Sequence, residues 1–192
     1  ILHTFPTHFN VNNANWGIFE EVNKRFADAA CIEAAEGATV WVHDYNLWLA
    51  PGYIRQQRPD LKIAFFHHTP FPGNDVFAIL PWREQILESL LCCDVVGFHI
   101  PRYTENFARA ASTLVGAKRG PKVPVDQKFI TVGTALSEGT VTSHLDHNDR
   151  RIQLLSSPVG TSPDVIQELS WSASVESYGE MIVQDTKKGR KL

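Results

Sequence analysis

Three short apolar runs, each closing on an imidazole, constrain the fold more than any other feature of this chain. "ATVWV" (38–42) is followed by His43 and Asp44, "KIAFF" (62–66) by His67 and His68, and "DVVGF" (94–98) by His99. Each run is apolar throughout rather than alternating, which is the pattern of strands in a parallel sheet. Between the runs lie stretches of helical spacing. "LWLAPGYIRQQ" separates the first pair, with Pro51 expected as a kink or break. "PWREQILESLLCC" separates the second pair. Pro81 suits its first turn, and Trp82, Ile86, Leu87, Leu90 and Leu91 make its core face. "PRYTENFARAASTLV" follows the third run and again opens on proline. Ahead of the first run, "WGIFEEVNKRFADAAC" predicts a helix whose core face is Ile18, Phe19, Val22, Phe26, Ala29 and Ala30. Glu20 with Lys24 and Glu21 with Arg25 support it on the outer side.

Strand–helix alternation of this kind predicts an α/β protein of βαβ units: a parallel sheet with flanking helices. From Pro121 the pattern changes. "KFITVGTAL" and "RIQLLSSPVG" are expected strands, with "DHND" turning between them. "TSPDVIQEL" is an expected helix, with Ser162 as its cap and Pro163 first inside. "SVESYGEMIVQDTKKGRKL" is an expected last helix ending in a basic tail.

Parallel strands all end on one edge of the sheet, and open α/β sheets take ligands beyond those ends. His43, Asp44, His67, His68 and His99 should therefore gather on one rim. Neighbouring strand residues point to opposite faces, so His67 and His68 should differ in role. One packs beneath a helix and the other faces the site. Pro70 and Pro72 stiffen the following loop and remove two backbone donors. A single histidine at a strand end is usually structural; repetition after three strands favours a functional rim. "HLDHND" (144–149) has metal-like spacing but reads as a hairpin turn. Cys92 and Cys93 precede a strand, hence lie at the opposite edge, where a core role fits better than nucleophilic chemistry.

Composition narrows the remaining classes. The 192 residues suffice for one sizeable domain, and a net charge of −3 offers no footprint for nucleic acid or an anionic membrane. No apolar run approaches the roughly 20 residues of a membrane helix. Three cysteines without CxxC spacing suggest reduced thiols and a cytoplasmic setting. The chain opens without methionine, its one Met being Met181, and reads as a piece of a longer polypeptide.

The segment "VWVHDYNLWLAPGYIRQQRPDLKIAFFHHTPFPGNDVFAILPWREQILESLLCCDVVGFHIPRYTENF" resembles the trehalose-6-phosphate synthase family of retaining glycosyltransferases. It carries that family's HDY, FF-x-H-x-PFP and D-x-x-GF motifs in order, and "SSPVGTSPD" resembles the family's entry into its second domain. The resemblance makes the parallel sheet with flanking helices Rossmann-like and implies a GT-B fold, with 1–157 a partial N-terminal, acceptor-side domain and 158–192 the crossover into the nucleotide-sugar domain. It implies glucose transfer from a nucleotide sugar to a small phosphorylated acceptor, with retention and with neither catalytic metal nor other cofactor. By that resemblance Asp44 binds acceptor hydroxyls near the reacting centre. His68 contacts the donor glucose, and Tyr45 and His99 line the acceptor side. Asn46 and His99 depart from the trehalose-type pattern and resemble a branch that makes a glycerol-based compatible solute under salt stress. That branch joins ADP-glucose to glycerol 3-phosphate; the trehalose branch joins UDP- or GDP-glucose to glucose 6-phosphate. The glycine-rich loop and phosphate-binding arginine are expected before Ile1, and the donor-gripping arginine and lysine after Leu192. On that reading this piece is inactive alone and prone to association, with a homo-oligomer as one outcome. A metal-dependent hydrolase using His43, Asp44, His67, His68 and His99, and a non-catalytic binding domain, are the alternatives from other classes.

Overall fold

The three apolar runs form adjacent parallel strands. The structure, a computed structural model, describes residues 15–126, 138–158, 160, 167, 177 and 183. Strands β1 (Thr39–His43), β2 (Lys62–His67) and β3 (Val95–Phe98) pair in parallel, and β8 (Arg150–Ser156) continues the parallel set beside β3. Two antiparallel strands, β7 (His144–His147) and β4 (Lys118–Arg119), complete a six-stranded sheet of order β1-β2-β3-β8-β7-β4. A separate two-stranded sheet joins β5 (Lys122–Pro124) to β6 (Thr140–Thr142). Among the described residues the helices are α1 (Trp16–Glu33), α2 (Ala50–Gln57), α3 (Asn74–Phe77), α4 (Arg83–Leu90) and α5 (Pro101–Val115), with a 3-10 turn at Tyr45–Leu47. None of them is long and apolar enough to cross a membrane. Contacts divide the chain into a unit spanning Ile1–Pro158 and a second spanning Val159–Leu192.

The helices follow the sequence with two corrections. Pro51 neither kinks nor breaks a helix; it sits in the first turn of α2, where its missing N–H costs nothing. The core face of α1 is also not the one its large apolar residues suggest. Asn23, Ala27 and Cys31 are its buried residues, whereas Ile18, Val22 and Phe26 are 56%, 40% and 58% exposed. Phe19 and Ala30 do pack against the core as expected. Small side chains let α1 approach α2 closely, and Asn23 makes bonds there that an apolar residue cannot. In α4 the expected face holds: Ile86, Leu87, Leu90 and Leu91 are all buried, with Trp82 packed beside them. Helix α5 opens on Pro101 and closes on Gly116, whose φ of 73° is the left-handed cap that glycine adopts without strain.

The expected turn at "DHND" lies between β7 and β8, where Asn148 and Asp149 both have positive φ, as a two-residue hairpin loop requires. The strand leading into it is His144–His147; "KFITVGTAL" lies outside the described residues, as does most of the two expected helices from Thr161 on, of which Gln167, Ser177 and Val183 are described and helical. In this hairpin Asp146 forms an ion pair with Arg151 at 2.8 Å, and His147 Nε2 lies 2.9 Å from a Glu88 carboxylate oxygen. At the opposite edge from the strand ends, the Asp94 carboxylate accepts from the Ile63 N–H and from Arg55 and Arg150. Cys93 is buried there, which pushes its thiol well up and makes it inert.

Core residues on the parallel strands all come from one face: Val42, Ile63, Phe65, Val96, Phe98, Ile152 and Leu154. The other face carries Trp41, Ala64, Phe66, Gly97 and Leu155 in register, and Trp41 and Leu155 are 64% and 48% exposed.

Candidate active site

Three of the four expected site residues lie one step beyond the C-terminal end of a parallel strand. Asp44 follows β1, His68 follows β2 and His99 follows β3. The ladder runs on past β1, since the Asp44 N–H donates to the Phe66 carbonyl at 2.9 Å. This puts His43, His68 and His99 on the exposed face around the half-buried Phe66. His43 Nδ1 and His68 Nε2 are 2.9 Å apart, so one donates while the other accepts. The ring centroids of His68 and His99 are 5.4 Å apart, and Phe66 lies 4.9 Å from the first and 5.0 Å from the second.

His67 points to the opposite face, as period two requires. It is wholly buried, stacked on Trp48 and edge-on to Phe71. Its Nδ1 lies 2.6 Å from the Thr69 carbonyl oxygen. The two imidazoles therefore do different jobs: His67 is built into the core and His68 stands on the rim.

Asp44 has the most demanding backbone of the site, with φ 61° and ψ 172°. That region is held almost solely by glycine and costs a side-chain-bearing residue about 1–3 kcal/mol. The carboxylate offsets this by bonding to Thr69: Oδ1 accepts from the Thr69 N–H at 3.2 Å and from its hydroxyl at 3.0 Å. Burial pushes the Asp44 carboxyl up. The Thr69 and Tyr45 peptide N–H groups, the Thr69 hydroxyl and the nearby His67 together outweigh it and hold the carboxyl below its ordinary value. Asp44 is thus an ionised acceptor at neutral pH. Tyr45 begins the 3-10 turn, 37% exposed, with its ring edge-on to Trp48.

Two residues outside the expected set hold this rim. Thr69 anchors the Asp44 side chain. Asn23, from α1, anchors the loop after it: its Nδ2 donates to the Asn46 carbonyl at 3.0 Å and its Oδ1 accepts from Leu49 and Ala50. The one sequence hint to Asn23 is an amide set between Val22 and Lys24 on a helix that packs. For hydrolytic metal chemistry the arrangement is poor. His67 is turned away from His68, and among the described residues no three His, Cys, Asp or Glu side chains converge as a metal site.

The family model of glycosyltransferase family 20 matches residues 1–192. Glucosylglycerol-phosphate synthase of Synechocystis sp. is 52% identical over 96% of this chain, which spans 37% of that protein. Trehalose-6-phosphate synthase of Mycolicibacterium gilvum is 54% identical over 53% of this chain, which covers 20% of it. The Candida albicans trehalose-6-phosphate phosphatase N-terminal domain superposes with a TM-score of 0.71 at 20% identity, covering 96% of this chain and 35% of that one. The UDP-forming trehalose-phosphate synthase of Burkholderia xenovorans, in complex with glucose-6-phosphate, gives 0.64 at 23%, covering 81% and 31%. The fold is accordingly that of the N-terminal, Rossmann-like domain of a GT-B protein. The chain spans little more than a third of the full-length glucosylglycerol-phosphate synthase it matches, and it belongs to glycosyltransferase family 20.

Proposed function

We propose that the full-length protein transfers glucose from a nucleotide sugar, ADP-glucose, to glycerol 3-phosphate with retention of configuration, and that residues 1–157 supply the acceptor side. The observation that carries this reading is the extent of the likeness. Similarity to the Synechocystis glucosylglycerol-phosphate synthase runs over 96% of the chain, whereas the M. gilvum trehalose-6-phosphate synthase matches over 53%. The likeness to the glucosylglycerol-phosphate synthase thus takes in nearly the whole chain, and that to the M. gilvum trehalose-6-phosphate synthase about half of it.

In this reading Asp44 accepts from a hydroxyl of the acceptor. An ionised carboxylate on a fixed backbone orients that hydroxyl without reorganising during reaction. His68 contacts the donor glucose and stabilises charge as the sugar departs. His99 and Tyr45 bound the acceptor pocket, with His99 filling space that a hexose would need. Residues 158–192 form the crossover into the nucleotide-sugar domain, and the remainder of the full-length chain grips the diphosphate, so the 192 residues bind donor weakly by themselves. The test is the full-length enzyme assayed with ADP-glucose and UDP-glucose against glycerol 3-phosphate and glucose 6-phosphate. Preference for glycerol 3-phosphate is expected. Preference for glucose 6-phosphate would reassign the protein to trehalose 6-phosphate synthesis, and a metal-dependent hydrolysis would overturn both.

A further inference from the structure

The motif FF-x-H-x-PFP leaves two positions open, and here they are His67 and Thr69. Thr69 bonds directly to Asp44, and His67 bonds to Thr69. We infer that Thr69 is a positioning residue for the Asp44 carboxylate, and that the buried His67 locks Thr69 in turn. The inference rests on the acceptor role proposed for Asp44.

The direction of every bond in this chain is fixed by chemistry. The Asp44 carboxylate only accepts, so the Thr69 hydroxyl donates to it, across 3.0 Å. That leaves the hydroxyl lone pairs facing other donors. A backbone carbonyl also only accepts, so His67 Nδ1, 2.6 Å from the Thr69 carbonyl oxygen, carries the hydrogen. The same Nδ1 lies 3.3 Å from the Thr69 hydroxyl oxygen. His67 N–H therefore points at Thr69, and Thr69 O–H points at Asp44. His67 is 0% exposed and packed among Trp48, Phe71 and Phe98, so its ring has no alternative orientation.

The geometry on Asp44 is asymmetric. Both Thr69 bonds land on Oδ1, at 3.2 Å and 3.0 Å, and neither uses Oδ2. Oδ1 is thereby held at two points, and the Tyr45 peptide N–H adds to the hold on the carboxylate. Without the Thr69 hydroxyl a single peptide N–H of that residue holds Oδ1. The carboxylate then rotates more freely, and its proton affinity rises.

The experiment uses the full-length enzyme carrying Thr69→Val, which keeps the branched shape and removes the hydroxyl, with Thr69→Ser as the rescue. Thr69→Val should lower kcat/KM for glycerol 3-phosphate roughly ten- to a hundredfold, the effect of one hydrogen bond to a charged group. The donor KM should stay at the parental value, and the acid limb of the acceptor kcat/KM profile should move to higher pH. Thr69→Ser should recover both. Thr69→Ala carries the same expectation as valine should the valine variant not fold. A second readout needs no turnover: carbon-13 NMR titration of the Asp44 carboxyl, assigned with Asp44→Asn. Its midpoint should rise in Thr69→Val and return in Thr69→Ser. A parent that ignores glycerol 3-phosphate would overturn the proposed function while leaving the titration to decide the positioning role. An unchanged Asp44 midpoint, or a parental acceptor profile in Thr69→Val, would overturn the inference.

Discussion

Asn23 offers the sharpest test of how the rim is held. It is wholly buried, and its amide is fully used. Oδ1 accepts from the peptide N–H groups of Leu49 at 2.9 Å and Ala50 at 3.1 Å, and Nδ2 donates to the carbonyls of Phe19 at 2.9 Å and Asn46 at 3.0 Å. One side chain thus caps the start of α2, where Leu49 provides no cap of its own, and pins the loop that follows Asp44. Replacing it by leucine fills similar space, so water does not take the amide's place. The Phe19 carbonyl keeps its partner within α1. The Leu49 N–H, the Ala50 N–H and the Asn46 carbonyl lose theirs. Leu49 and Ala50 are buried whereas Asn46 is exposed, so at about 1–3 kcal/mol for each unsatisfied buried group the two N–H groups cost roughly 2–6 kcal/mol, and relaxation favours the lower end. A domain is stable by about 5–15 kcal/mol, so Asn23→Leu should remove a large share of this one's stability. Asn23→Asp is the finer probe. It keeps Oδ1 but sets a second oxygen against two carbonyls, so its folded pKa should lie above the unfolded value of about 3.9. A raised folded pKa contributes stability that is fully present below the unfolded pKa and lost as pH rises through the folded pKa. Asn23→Asp should accordingly be less damaging at pH 4 than at pH 7. Urea unfolding followed by tryptophan fluorescence reads both variants. A loss below about 1 kcal/mol for Asn23→Leu would refute the assignment of Asn23 as the anchor of this loop.

Three further outcomes are expected. A Cβ on Gly97 would stand 2.7 Å from Cδ2 of Phe66, the ring that His68 and His99 pack against. Gly97→Ala should therefore cost about 1–3 kcal/mol and shift both histidines' NMR resonances, and unmoved resonances would contradict that packing. For Glu105, burial raises the carboxyl, but the hydroxyl and peptide N–H of Thr142, with Lys122 and Arg119, bring it below its ordinary value. Its stabilisation is present above the unfolded pKa of about 4.3 and lost as pH falls through the folded pKa, so Glu105→Gln should flatten the acid side of a Tm-against-pH curve. Finally, the apolar sheet face around Trp41 and Leu155 should drive association of this chain, and Trp41→Lys should reduce it in light scattering. Monodisperse parental protein at high concentration would remove that expectation.

What the sequence made legible was whatever depends on period and local chemistry. Uniform apolarity at 38–42, 62–66 and 94–98 specified parallel strands, and strand direction alone carried Asp44, His68 and His99 to one edge. Period two separated His67 from His68 before any contact was known. The face of α1 was not legible in the same way. Counting large apolar residues selects Ile18, Val22 and Phe26, but a helix buries the face that fits its neighbour. Ala27 and Cys31 allow close approach, and Asn23 answers backbone groups some 25 residues away in the chain. Those groups belong to a turn that no window of sequence around Asn23 contains.

Asp44 shows the same limit at the site itself. Its motif is plain in the sequence, but its left-handed backbone is not, because residues other than glycine rarely adopt such a conformation. Once φ is positive, the side chain leaves the direction in which an ordinary strand would carry it. It bonds to the Thr69 N–H and hydroxyl. The bond to Thr69 then makes that conformation tolerable, and His67 supports the bond from the core. Position 69 therefore carries no local signal: a threonine between histidine and proline reads as loop punctuation. Its role exists because Asp44 is strained, and Asp44 can stay strained because Thr69 is there.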